Sequence, residues 1–111
     1  MNVEKAIIEY LNSKGIKAYA DVPKPRPEEF ATVERVGGSS DSVVVDRPVV
    51  AIQAWAQTRY GASSLMYQID SYMRDIAVGT NGIMRCKRNS LCNWPDENQA
   101  RYQAVYDLVT Q

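Results

Sequence analysis

The sequence predicts a small single α+β domain: one antiparallel or mixed sheet built on a long β-hairpin, with two helices packed on it. Three observations carry the prediction. Residues 30–56, FATVERVGGSSDSVVVDRPVVAIQAWA, set two runs of β-branched and aromatic residues around a polar segment too short for a helix. Apolar residues recur at spacings of three and four over residues 2–14 and again over residues 61–78. Residues 100–110 alternate, with Ala100, Tyr102, Ala104, Tyr106 and Leu108 on one face and Arg101, Gln103 and Asp107 on the other.

The first helix, residues 2–14, gathers Val3, Ala6, Ile7, Tyr10 and Leu11 on one stripe and ends at Gly15, which can take the left-handed conformation of a C-terminal cap. Residues 16–22 read as a short strand. Prolines at 23, 25 and 27 remove backbone donors and predict a stiff, extended connector. Their spacing by two is not the Pro-x-x-Pro pattern of a ligand for another domain.

The hairpin follows, with arms Thr32–Val36 and Val43–Ala56 and a loose tip at Ser39–Ser42. The return arm is apolar on both alternating faces, Val50, Ile52, Ala54 and Ala56 against Val49, Ala51 and Trp55. Such a strand asks for cover on both sides, so Trp55 is expected to be at least partly buried. The second helix carries Leu65, Met66, Ile69, Met73, Ile76 and Ala77 inward and Gln68, Ser71, Arg74 and Asp75 outward. Met66 and Met73 on such a stripe are read as core filler.

Residues 83–98 lose periodicity in a polar stretch that admits a short strand at 83–87, and part of them is expected to be mobile. Arg85, Lys87 and Arg88, with Trp94 nearby, have the composition of a phosphate and base contact. Thirteen basic residues balance thirteen acidic ones, however, so no global positive charge favours nucleic acid or an anionic membrane, and a solvated loop is the reading adopted.

At 111 residues and 45% apolar content the chain is expected to form one domain with one modest core. The N-terminal pattern mixes acidic residues into its apolar positions and reads as neither signal peptide nor membrane span. A soluble cytoplasmic setting then makes Cys86 and Cys92 free thiols. There is no histidine, so zinc would lack two ligands and no imidazole base exists. Gly37-Gly38 lacks the following lysine and helix of a phosphate loop. No catalytic, cofactor or metal site is expected, and the residues point to binding or assembly.

The stretch Thr32-Val33-Glu34-Arg35-Val36-Gly37-Gly38, then Asp46-Arg47-Pro48 leading into Val49–Ala56, resembles the tail-terminator (tail-completion) proteins of long-tailed bacteriophages and prophages. The order of elements resembles that family too: N-terminal helix, Pro-rich lead-in, hairpin, a helix soon after the apolar strand, and a last strand opening on Arg101-Tyr102. Residues 83–98 have no counterpart in it. The resemblance implies a structural virion protein, assembled in the host cytoplasm, that forms a homo-oligomeric ring, six-fold in this family. Such a ring stops tail-tube polymerisation and offers a surface for head–tail joining. Implied partners are the chain itself, the tail tube protein and the head–tail connector, with no cofactor, no membrane and no sequence-specific nucleic acid. Another neck connector protein, or a small binding module outside phages, stays open at this point. Subunit-contact candidates are Glu34, Arg35, Asp46, Arg47 and Arg59, which flank the apolar strand. Partner-contact loop candidates are Gly37, Gly38, Ser39, Ser40, Asp41, Arg85, Lys87 and Arg88.

Overall fold

Helix α1 (Val3–Ser13) starts where the Asn2 side chain accepts a hydrogen bond from the Lys5 amide at 3.1 Å. It stops at Gly15, whose φ of 88° lets Ile16 donate back to the Leu11 carbonyl at 3.0 Å. The computed structural model describes residues 1–40 and 44–111. Within them follow β1 (Ala18–Tyr19), β2 (Phe30–Ser40), β3 (Asp46–Ala56), α2 (Arg59–Met73), α3 (Ile76–Gly79), β4 (Ile83–Asn93) and β5 (Ala100–Thr110). No helix among these residues is long and apolar enough to cross a membrane.

The α+β architecture is the one the patterning predicts. Five strands form one mixed sheet in the order β1-β2-β3-β5-β4, with β1 parallel to β2 and every other pair antiparallel. Chain reversal at the hairpin and the return of the last strand place β3 and β5 in the centre. One face of the sheet presents Ala31, Val33, Val50, Ile52, Ala54, Ala104, Tyr106 and Leu108 to α1, α2 and α3. With Ile7, Leu11, Met66, Ile69, Met73 and Ile76 they form a single buried cluster. Met66 and Met73 are fully buried core residues, as their stripe predicts.

Several expectations need correction. Residues 16–22 give only the two-residue β1. The Pro-rich segment is not one extended run; it bends at Lys24-Pro25, a cis peptide, and again at Glu28-Glu29. Arm β2 runs on to Ser40, so Gly37, Gly38, Ser39 and Ser40 are strand residues and not a loose tip. Gly38 sits there at φ 111°, facing Pro48, and a Cβ on it would lie 2.2 Å from the Arg47 carbonyl oxygen. Only glycine fits that close approach of two arms. The return arm begins at Asp46; Asp41, Ser42 and Val43 lie outside the described residues.

The second helix starts at Arg59, where Thr58 Oγ1 accepts from the Gly61 amide at 3.0 Å, and breaks after Met73 instead of reaching residue 78. At the break the Tyr10 hydroxyl donates to the Tyr72 carbonyl at 2.7 Å, satisfying a terminal acceptor from outside the helix. Residues 83–93 are the largest correction. They form a full edge strand along β5, with bulges at Met84 and Asn89. Only Ile83 is fully buried in it, so no apolar alternation shows, and each bulge breaks the period of two.

Candidate functional site

The helices cover one face of the sheet and leave the other open. Register assigns Phe30, Thr32 and Glu34 of β2, Ala51, Gln53 and Trp55 of β3, and Arg101, Gln103, Val105 and Asp107 of β5 to this open face. The expectation that β3 needs a second covering layer is therefore met only at one end. There Trp55 stacks on Phe30 with centroids 5.5 Å apart, and the Arg26 and Arg101 guanidiniums lie 5.4 and 4.8 Å from its ring. Trp55 is 5% exposed, which meets the expectation for it.

Toward the middle, polar side chains replace a covering layer. The Trp55 indole donates to Thr32 Oγ1 at 3.0 Å, that hydroxyl donates to Gln53 Oε1 at 2.7 Å, and Gln53 Nε2 donates to Gln103 Oε1 at 2.8 Å. This ladder crosses three strands and satisfies groups that would otherwise have no partner. Ala51 is buried within the sheet itself, while Val49 and Val105 are half-exposed.

The sheet ends in two unlike edges. Among the described residues, β2 has no strand on its outer side beyond Thr32, because β1 meets only Ala31 and Thr32. The Arg35 amide there donates to Glu4 Oε2 at 2.9 Å. On the opposite side, among the described residues, β4 has β5 alone as a strand neighbour. Of the three bulge residues that interrupt these edges, Val36, Met84 and Asn89, the first two are exposed hydrophobics, at 52% and 48%.

The subunit-contact candidates do not act as one group. Arg35 and Asp46 pair with each other, in two hydrogen bonds of 2.6 and 3.0 Å, and so fix the register of their own hairpin. That bond holds the Asp46 carboxyl below its usual range and raises Arg35. Glu34 lies exposed on the open face; Arg59 is exposed at the start of α2, away from the hairpin. Arg47, Arg85 and Lys87 converge on the open face around Asp107, at the hairpin end. Arg88 points the other way. Its guanidinium and that of Arg74 donate to Asp70 Oδ2 at 3.1 and 3.2 Å, while the Tyr106 hydroxyl donates to Asp70 Oδ1 at 2.8 Å.

Asp70 is 2% exposed and was not legible as a hub, although a signal exists. It falls on the helical stripe of Met66, Ile69 and Met73, where a lone carboxylate requires partners. Beside it, burial and the nearby Asp70 and Asp107 push the Cys86 thiol up to about 12. Cys86 faces the helices and Cys92 the open side, six residues apart, or about 20 Å along a strand. Both are free, and within one chain they cannot meet. At pH 8 a maleimide is expected to label exposed Cys92 at least tenfold faster than Cys86; equal rates in the folded protein would contradict this placement.

A concavity of about 640 Å³ opens at the end away from the hairpin between Lys17, Glu28, Glu29, Gln57, Thr58 and Gln68. Among the described residues no three His, Cys, Asp or Glu side chains converge to hold a metal ion. The chain matches no protein-family model and no curated protein.

Proposed function

We propose that this protein is a structural subunit that closes into a homo-oligomeric ring and caps the tail tube of a long-tailed phage, ending tube growth and presenting a surface for the head connector. The observation that carries the ring is the pair of unlike, unpaired strand edges on opposite sides of one sheet. Unlike surfaces on one subunit join head to tail, and such contacts close into a ring when the rotation allows. A self-complementary patch would give a two-fold dimer instead. The tail-capping role is supported by the resemblance of the hairpin sequence and by the observed order of α1, Pro-rich lead-in, hairpin, α2 and a last strand containing Arg101-Tyr102. Strand β4 stands outside that resemblance.

Purified full-length protein, alone and mixed with tail tubes, is expected to give rings in negative-stain images and a single closed oligomer in native mass spectrometry. Tubes carrying it should stop elongating when fresh tube protein is added. A strictly monomeric protein that leaves tube growth unchanged would refute the reading.

A further inference from the structure

We infer that neighbouring copies join by laying the outer edge of β4 against residues 33–39 of β2 in the next copy, so that one sheet continues into the other. The inference rests on the ring reading above and names the contact that makes it.

Strand direction permits the join without turning a subunit over. In the order β2-β3-β5-β4 each strand is antiparallel to its neighbour, so β4 runs opposite to β2. A second copy set beside the first in the same orientation thus meets β4 with an antiparallel β2, and the helix layer stays on the same side throughout. The stretch of β2 without a strand neighbour spans about 23 Å and β4 about 36 Å at roughly 3.3 Å per residue, long enough for several main-chain hydrogen bonds once the Glu4 carboxylate releases the Arg35 amide to the neighbour.

Side chains favour this pairing and oppose the two symmetric ones. Glu34 on β2, and Arg85 and Lys87 on β4, all lie on the open face. Glu34 is at the middle of β2, level with Ala51, Val105 and Ser90, while Lys87 and Arg85 lie two and four positions along β5 nearer the hairpin end. A step of two to four residues along the seam thus brings the acid and the two bases together. None of the three has an ion pair among the described residues. In a continued sheet they share one face, acid of one copy beside bases of the next. Two β4 edges paired about Cys86 would set Arg85 and Lys87 against their own kind, and two β2 edges paired about Glu34 would do the same with Glu34. The exposed Val36 and Met84 supply an apolar contact on either side of the same seam. Bulges and basic residues commonly guard an edge against random pairing. Here they guard each edge against its own kind and leave it open to the other.

The test uses full-length Glu34→Lys and the double variant R85E/K87E, each checked for unchanged thermal unfolding, since all three positions are exposed. Each variant alone is expected to reduce ring formation at least tenfold, on tail tubes if the wild type needs them. An equimolar mixture should restore rings, because the reversed acid of one then faces the reversed bases of the other and every remaining contact is native. The outward-facing amides within residues 33–39 and 83–93, those not already bonded to β3 or β5, should exchange at least tenfold more slowly in the wild-type ring than in the monomer. Wild-type rings with either variant unaffected, with no rescue in the mixture, or without that protection would overturn this contact while leaving the ring intact. Absence of any wild-type oligomer, even on tail tubes, removes the ring and this contact together.

Discussion

Trp55→Ala is expected to lower the unfolding free energy by about 3–5 kcal/mol, the usual cost of deleting a buried indole. The loss has three separable parts. The ring stacks on Phe30 at an interplanar angle of 8°, and Phe30 in turn meets Tyr19 edge-on at 6.3 Å. Arg26 and Arg101 lie over the ring from the Pro-rich segment and from β5. The indole N–H anchors the polar ladder through Thr32. Trp55→Phe retains most of the stacking and loses the N–H, so it should cost about 1–3 kcal/mol, largely through loss of that hydrogen bond. Urea melts of both variants measure the difference. A Trp55→Ala loss under about 1 kcal/mol would mean that this end of the open face is not a structural corner.

Asp70→Ala is expected to cost about 3 kcal/mol, near the low end for removing one member of a buried charged group. Arg74 and Arg88 are 72% and 40% exposed in their side chains, so water recovers both once the carboxylate is gone. The Tyr106 hydroxyl, on a residue 1% exposed, is left without its acceptor and bears the main cost. Asp70→Asn should lose nearly as much, because the amide restores at most one acceptor and meets two guanidiniums without charge. Loss of less than about 1 kcal/mol in either variant would show that water replaces the carboxylate.

The same cluster sets an alkaline limit. Burial, and then the bond to Asp70, raise the Tyr106 phenol above its ordinary value of 10.0, and burial raises Cys86 from 9.0 to about 12. Both are acids held protonated by the fold. Their contribution is complete below pH 9 and is lost as pH rises, because the unfolded chain releases protons that the folded chain retains. The urea midpoint should therefore fall between pH 9 and 11, and Tyr106→Phe with Cys86→Ser should flatten that fall. An unchanged slope in the double variant would assign the alkaline loss to other groups.

Much of this fold is written in local pattern. The stripe of Val3, Ile7, Tyr10 and Leu11 with Gly15 behind it determines α1; the two-sided apolar run at Val49–Ala56 determines a central strand; alternation at Ala104, Tyr106 and Leu108 determines β5. In α1 and β5 burial of one face gives the sequence its period, and in β3 burial on both faces gives an almost continuous apolar run. Where the inward face is only partly buried and bulges shift the alternation, little period is imposed, which is why β4 reads as a polar stretch although it pairs along its length with β5. The glycine pair reads as a turn because φ above zero is all that a local reading can see; that Gly38 lies inside a strand follows from Arg47 and Pro48 across the hairpin. Tertiary structure alone decided the rest. Arg35 and Asp46 are eleven positions apart and become partners only once the hairpin closes. Asp70, Arg88 and Tyr106 meet only because β5 inserts between β3 and β4 beneath α2. The two free edges, and so the surface offered to a neighbour, depend on which strands are last in the sheet, a property of the strand order that no stretch of the chain carries by itself.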